Sequence, residues 1–260
     1  MPINELETKI KEIENEKKIN LNELTDKNIH YTNETLRSIE NLFSLNFYVD
    51  LDRKKFGNKA IVILQNGTYQ FNEELQNSLQ DKNFKQYFTD ILACAFIKNE
   101  QYMNDVPFTL YQKYSRREVC RILNWDRNEE GTLNGGRPKN GKFPIFVNYH
   151  KAEEGSETKY MDEFLASDTF KWCTTKNRYI RSNEIQALIN PDKLATSYLF
   201  VKKDNGEGKD FYFLGKCTAK SESATETKVE ENGKEYPVVT IEVMLEQPIQ
   251  YDIYHYLVEE

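Results

Sequence analysis

Phe143-Pro-Ile-Phe-Val-Asn-Tyr149 is an apolar run set between Gly141-Lys142 and His150-Lys151. Its length, β-branched and aromatic content and polar flanks predict a strong strand. Three later stretches, 198–202, 211–214 and 238–245, share that character. Gly206-Glu-Gly208 lies between the first two of these, where a hairpin turn is expected. Several strands, few helices and long polar connections predict an α+β domain around a curved sheet or β-barrel with flanking helices. Residues 219–236 are rich in Glu, Lys, Ser and Thr and predict an extended loop or long hairpin tip.

Upstream of that strand, Ser115-Arg-Arg-Glu118 has the spacing of a capping box. It predicts a short helix with Val119, Ile122 and Leu123 facing inward and Arg116, Arg117 and Arg121 in solvent. Trp125 reads as a core or hinge aromatic, and the loop Gly131-Thr-Leu-Asn-Gly-Gly-Arg-Pro138 follows. Before Pro107 the pattern is mostly helical. Thr32 is placed to cap a helix carrying Leu36, Ile39, Leu42 and Phe43 on one face. Asn72 is a second cap, and residues 83–98 put Phe84, Phe88, Ile91, Leu92 and Phe96 on one side. Between them, residues 60–64, Asn66-Gly67 and residues 68–71 predict a β-hairpin. Ile3, Leu6, Ile10 and Ile13 are spaced for an amphipathic helix with a short coiled-coil-like seam. The expected division is a helical support region over 1–110 and an α+β domain over 111–260.

The chain has 260 residues, of which 38% are hydrophobic, 30% charged and 13% aromatic, so it can bury a core that leans on Phe and Tyr. No run approaches the roughly 18 apolar residues of a membrane span, and the first residues lack a signal-peptide pattern. A soluble, cytoplasmic protein with no membrane partner is expected. Cys94, Cys120, Cys173 and Cys217 lie far apart, and His30, His150 and His255 are the only histidines. That spacing speaks against zinc and for small buried thiols in a reducing compartment. No cofactor is expected.

The net charge of -7 hides its distribution. Residues 1–110 carry 13 cations against 17 carboxylates, residues 111–151 carry 9 against 4, and residues 152–260 carry 13 against 21. A second basic island, residues 171–203, sets seven cations against Glu184 and Asp192. Brought together by the fold, the two islands would make a surface able to hold a phosphate backbone; kept apart, they are solvated faces.

Catalytic patterns are weak. Glu157-Thr-Lys159 and Glu226-Thr-Lys228 match a nuclease Glu-x-Lys but lie in polar stretches without an apolar strand. Gly206-x-Gly208 has no following helix and reads as a turn rather than a phosphate cradle. Cys173 and His150 have the chemistry of a nucleophile pair, although nothing in the sequence places them side by side. Phe170-Lys-Trp-Cys-Thr-Thr-Lys-Asn-Arg178 is more informative. It gathers an indole, hydroxyls, a thiol, an amide and three cations, which suits a nucleotide: a ring for stacking, donors and acceptors for a base edge, charge for phosphate. The same pattern is met by a core Trp172 at a strand start followed by a solvated loop. Asn148-Tyr-His-Lys151 has similar chemistry at a strand exit.

These stretches also carry a family resemblance. Tyr114-Ser-Arg-Arg-Glu-Val-Cys-Arg-Ile-Leu-Asn-Trp125, Gly131-Thr-Leu-Asn-Gly135, the strand from Phe143 through Lys151, the segment 170–178, Leu199-Phe-Val-Lys-Lys203 and Phe211-Tyr-Phe-Leu-Gly215 together resemble one domain. It is the C-terminal, target-recognition domain of SauUSI-type, modification-dependent type IV restriction endonucleases. The likeness covers roughly residues 110–260 well and the helical part more loosely.

The resemblance implies an SRA/PUA-like fold that reads modified cytosine in double-stranded DNA, with helicase and nuclease domains of the parent protein upstream. No Walker-type Gly-Lys-Thr and no His-x-Lys occurs in this chain. It is therefore expected to be a recognition module without ATPase or nuclease parts, and not itself an enzyme. Thr174 stands where the family's Trp-x-Ser motif has serine; it keeps the hydroxyl and adds a methyl. On this reading Trp172, with Tyr149 or Tyr114, stacks on a flipped 5-methylcytosine while Thr174, Asn177 or Asp162 meets its edge. Arg116, Arg117, Asn134, Arg137, His150, Lys151, Lys176, Arg178 and Lys202 are the expected DNA-backbone contacts. The alternative is a protein-docking or regulatory module of a helicase-like protein that reads no modified base.

Overall fold

The computed structural model describes residues 18–20, 32–65, 68–103, 106–150, 162–231 and 233–259. The chain divides into two compact units, Met1–Pro107 with Cys120–Asn128, and Phe108–Val119 with Glu129–Glu260. Among the described residues no helix is long and apolar enough to cross a membrane.

The first unit contains β1 (Lys18–Asn20), α1 (Asn33–Phe43), α2 (Asp50–Lys55), β2 (Val62–Gln65), β3 (Thr68–Phe71), α3 (Glu73–Ser78) and α4 (Lys82–Asn99). Side-chain caps set the helix starts: Thr32 Oγ1 accepts from Thr35 N at 3.1 Å, Asn72 Oδ1 from Leu75 N at 2.8 Å and Asp81 Oδ1 from Phe84 N at 2.8 Å. β2 and β3 pair antiparallel as the alternation of residues 68–71 predicts, and β1 adds to the other side of β3. The Asn66-Gly67 turn and the amphipathic stretch 3–13 lie outside the described residues. The apolar side of α4 is not buried: Phe84 and Ile91 are exposed.

The second unit follows with β4 (Lys113–Ser115), the start of α5 (Arg116–Ile122, which from Cys120 on belongs to the first unit), β5 (Lys142–Asn148), β6 (Glu163–Ala166), β7 (Thr169–Cys173), α6 (Asn183–Ile189), β8 (Thr196–Lys202), β9 (Asp210–Ala219), β10 (Thr225–Glu231), β11 (Lys234–Leu245) and α7 (Tyr251–Val258). The fold class is α+β. Its strands make one mixed eight-stranded sheet in the order β5-β8-β9-β11-β7-β6, with β10 on β11 and β4 on β9. β5 and β8 are parallel, with Ile145 opposite Leu199. The other pairs are antiparallel.

Strand periodicity sorts the β5 side chains. Phe143, Ile145 and Val147 enter the main core with Phe170, Trp172, Leu199 and Ile241. Phe146 points to the other face, where its ring stacks on Phe200 at 4.9 Å within an aromatic cluster that includes Phe108, Tyr114 and Phe213. Both faces of β5 are thus covered, which is why its sequence is nearly all apolar. The ladder between β8 and β9 shifts register between Leu199 and Phe200, and Gly215 opposite Leu199 has φ +131°, a conformation that favours glycine at this irregularity. The polar stretch 219–236 forms β10 and the start of β11, a hairpin whose pairing runs from Thr225 opposite Thr240 to Glu231 opposite Lys234.

The Ser115 box forms as expected: Ser115 N donates to Glu118 Oε2 at 2.8 Å and Glu118 N to Ser115 Oγ at 3.2 Å. Two expectations are corrected here. Arg116 and Arg117 are half-buried rather than fully solvated. Cys94 is exposed, unlike the other three cysteines, because it lies on the uncovered α4.

Candidate functional site

In the second unit, strand ends and loops enclose a cleft of about 690 Å³. Asn134 and Gly135 come from the glycine loop, Phe146 and Asn148 from β5, Trp172 and Cys173 from β7, and Thr175, Lys176 and Arg178 from the turn after it. Arg116 at the head of α5, Thr132, Asp162 and Asn205 complete the lining.

Backbone bonds bring these distant segments together. Phe146 N donates to Gly135 O at 2.7 Å and Gly136 bridges Ile145, so the glycine loop runs along the outer edge of β5. Gly135 has φ +82°, and a Cβ there would stand 3.0 Å from Thr175 Cγ2, so glycine lets the two walls approach. Asp162 Oδ1 accepts from Cys173 N at 2.8 Å and holds the approach to β6 against β7. Asn148 Nδ2 donates to Asn205 Oδ1 at 2.6 Å and ties the exit of β5 to the turn between β8 and β9.

Charge in and around the cleft is mostly neutralised locally. Arg178 pairs with Glu184 at 2.9 Å and Lys176 with Glu231, while Arg117 pairs with Glu130 at 2.7 Å and Arg137 with Glu129 at 3.0 Å. Arg116 differs. Its guanidinium lies over the rings of Phe211 and Phe146, 5.0 and 5.5 Å from their centroids, and its Nε is buried without a hydrogen-bond partner among the described residues. Burial lowers its pKa, an effect opposed by the charge of Glu130, yet a guanidinium remains protonated. Lys202 Nζ lies 5.1 Å from the same Phe211 ring and donates to Gly208 O at 2.9 Å. Its pKa is lowered by burial and then by Arg116. The Asn148 Oδ1 is likewise buried, with no partner among the described residues.

Six of the residues singled out from sequence line the cleft: Arg116, Asn134, Asp162, Trp172, Lys176 and Arg178. Trp172, expected to stack on the base, is 2% exposed, and its ring meets Phe143 edge-on in the core. Inward alternation on β7, with Phe170, buries it. Thr174 is 1% exposed, and its hydroxyl accepts from Val239 N at 2.9 Å while Thr174 N donates to Val239 O. That oxygen extends the β7–β11 ladder rather than facing the cleft.

Tyr114, the other expected stacking partner, packs its ring on Phe108, and its hydroxyl accepts from Thr109 N at 2.8 Å. Tyr149 packs against Phe164 and Phe170, and burial raises its pKa. Asn177 is exposed with φ +60° and gives its carbonyl to Arg178. The ring Nε2 of His150 lies 3.0 Å from Leu257 O, and Cys173 Sγ contacts Thr174 O. Lys151 lies outside the described residues.

Phe146, Thr175 and Asn205 are lining residues that sequence reasoning did not select, and Asn148 was visible only as part of a strand-exit segment. An Asn at a strand exit and an Asn in a glycine turn carry no signal of their mutual contact.

An α+β domain with a polar, loop-walled cleft on a mixed sheet is the class that these features define. Residues 108–257 match the family described as "Domain of unknown function (DUF3427)", and the chain belongs to that family. Residues 6–104 match "Domain of unknown function (DUF8090)". No curated protein matches the chain.

Among solved structures, the chain is similar to "DNA modification-dependent restriction endonuclease AspBHI", with 10% identity and a TM-score of 0.39 over 56% of this chain and 79% of that one. It is similar to the "DNA recognition domain of the cytosine modification-dependent restriction endonuclease LpnPI", with 9% identity and a TM-score of 0.36 over 54% and 74%. A third is Arabidopsis thaliana SUVH6 in complex with SAM, with 12% identity and a TM-score of 0.33 over 84% and 39%.

Proposed function

We propose that this protein recognises double-stranded DNA carrying modified cytosine, and that the polar cleft receives the modified base. The observation that carries the reading is a pair of buried polar atoms on residues of one cleft, Arg116 Nε and Asn148 Oδ1, that have no hydrogen-bond partner among the described residues. At about 690 Å³ the cleft lies within the roughly 300–1,000 Å³ of small-ligand sites. An acceptor and a cation suit a nucleotide, whose base edge offers both donors and acceptors and whose phosphate is anionic. The motif resemblance to SauUSI-type recognition domains supports the same reading.

The finer steps belong to the proposal. A methyl group is worth only about 1–3 kcal/mol in a hydrophobic contact, and extruding the base lets a pocket inspect it on every side. Asp162 and Asn148 then meet the base edge, Arg116 and Asn134 contact its nucleotide, and Lys176, Arg178 and Arg137 follow the backbone after releasing their carboxylates. The domain has an SRA/PUA-like role as the recognition part of an ATP-dependent type IV restriction endonuclease, and catalysis lies in other domains of that parent.

Fluorescence anisotropy with matched duplexes carrying cytosine, 5-methylcytosine or 5-hydroxymethylcytosine, across a salt series, tests it. Tighter binding to a modified duplex is expected. Equal binding to all three, or none, overturns the reading in favour of a protein-docking module.

A further inference from the structure

Asn148 ends β5 and Asn205 stands in the turn between β8 and β9. Their side chains are joined by one hydrogen bond, Asn148 Nδ2 to Asn205 Oδ1 at 2.6 Å, and both residues line the cleft. That bond engages the donor end of the Asn148 amide and leaves its acceptor end, Oδ1, buried and without a partner among the described residues. An unmatched buried acceptor is costly, and a ligand that brings a donor relieves the cost.

The chemistry of pyrimidines gives this asymmetry a consequence. Thymine and 5-methylcytosine carry the same 5-methyl group, so a pocket that measures only the methyl accepts both. They differ at position 4, where cytosine has an amine that donates and thymine a carbonyl that accepts. An acceptor facing that position attracts the first and repels the second, a form of selection that acts through the unfavourable partner as much as the favourable one.

We infer that Asn148, oriented by Asn205, is the specificity-determining residue that admits 4-amino pyrimidines to the cleft and excludes 4-oxo pyrimidines. The inference rests on the proposal that the cleft receives a pyrimidine base. Asn205 matters because the two amides can turn over together, which would present a donor instead. A carboxylate at 205 only accepts, so it keeps Asn148 Nδ2 turned toward it and Oδ1 toward the ligand.

The test uses the full chain and three duplexes that differ at one position, with cytosine, 5-methylcytosine or thymine opposite the same guanine. The wild type should bind the 5-methylcytosine duplex more tightly than the thymine mismatch. Asn148→Leu should shrink that ratio by about tenfold or more, the consequence of removing a hydrogen-bonding discriminator, while Asn205→Asp should keep it. If Asn148→Leu does not fold, as judged by its melting transition, Asn148→Asp, which retains acceptors, must preserve the ratio and Asn205→Ala must reduce it.

A folded Asn148→Leu with the wild-type ratio, or a wild type that binds the thymine mismatch as tightly as 5-methylcytosine, overturns the inference and leaves the modified-cytosine reading standing. A wild type that rejects thymine but binds modified and plain cytosine equally overturns the modified-cytosine reading and leaves Asn148 in place. Absence of DNA binding overturns both.

Discussion

The guanidinium of Arg116 lies 5.0 Å from the centroid of the Phe211 ring and makes no ion pair with any described residue. The aromatic faces hold the cation where burial alone would disfavour it. With Arg116 placed on the nucleotide in the proposed reading, Arg116→Ala should weaken binding to all duplexes alike. It should also reduce the slope of log affinity against log salt by about one, the signature of one lost phosphate contact. An anisotropy titration over four salt concentrations checks this; an unchanged slope would place Arg116 away from the phosphates.

Thr174 and Val239 exchange two hydrogen bonds at the end of the β7–β11 ladder. Thr174→Val keeps the shape and removes the oxygen, leaving the Val239 N–H buried and unmatched. The expected loss is about 1–3 kcal/mol of stability, measured by urea denaturation, with the preference among duplexes unchanged. A loss of preference without a loss of stability would return Thr174 to the base-reading set.

The strands around β5 were legible because two-sided burial writes a continuous apolar run, and the Ser115 box was legible because capping needs two particular side chains three residues apart. What was hidden is long-range. The sequence shows that Arg178 and Lys176 are cations, but not that Glu184 and Glu231 fold back onto them. It shows an indole among polar residues, but strand register, fixed by Ile241 opposite Trp172, decides that the indole faces inward. The cleft itself depends on the glycine loop meeting Thr175, a contact across some forty residues of chain that no local pattern encodes.

Cys217 is buried in the core, and burial pushes its thiol pKa up to about 12 from an ordinary value of 9.0. The unfolded chain loses that proton near its ordinary pKa while the folded chain keeps it, so stability falls as pH rises from about 9 toward 12. Tyr69, raised to about 12 by burial and by its neighbour Glu40, and Tyr256, raised to about 12 first by its hydrogen bond to Glu207, add to the same alkaline loss. Melting temperatures should hold from pH 7 to about 9 and decline from there to pH 11, and Cys217→Ala should flatten the decline. In the native state at pH 8, mass spectrometry after brief iodoacetamide treatment should find Cys94 alkylated well before Cys217.

Trp172 separates core packing from ligand contact. Its ring sits edge-on to Phe143 at a centroid distance of 5.9 Å, and the residue also reaches the cleft lining. Trp172→Ala removes a large buried ring and should destabilise the domain by about 3–5 kcal/mol, so loss of DNA binding in that variant would report unfolding. Trp172→Phe keeps an aromatic in the same register at a smaller cost. If the indole serves the core, Trp172→Phe should retain the wild-type ratio of affinities for 5-methylcytosine and cytosine duplexes while melting at a lower temperature. A collapse of that ratio in a variant that still melts cooperatively would show that the indole touches the base, and that the wall of β7 moves when DNA enters.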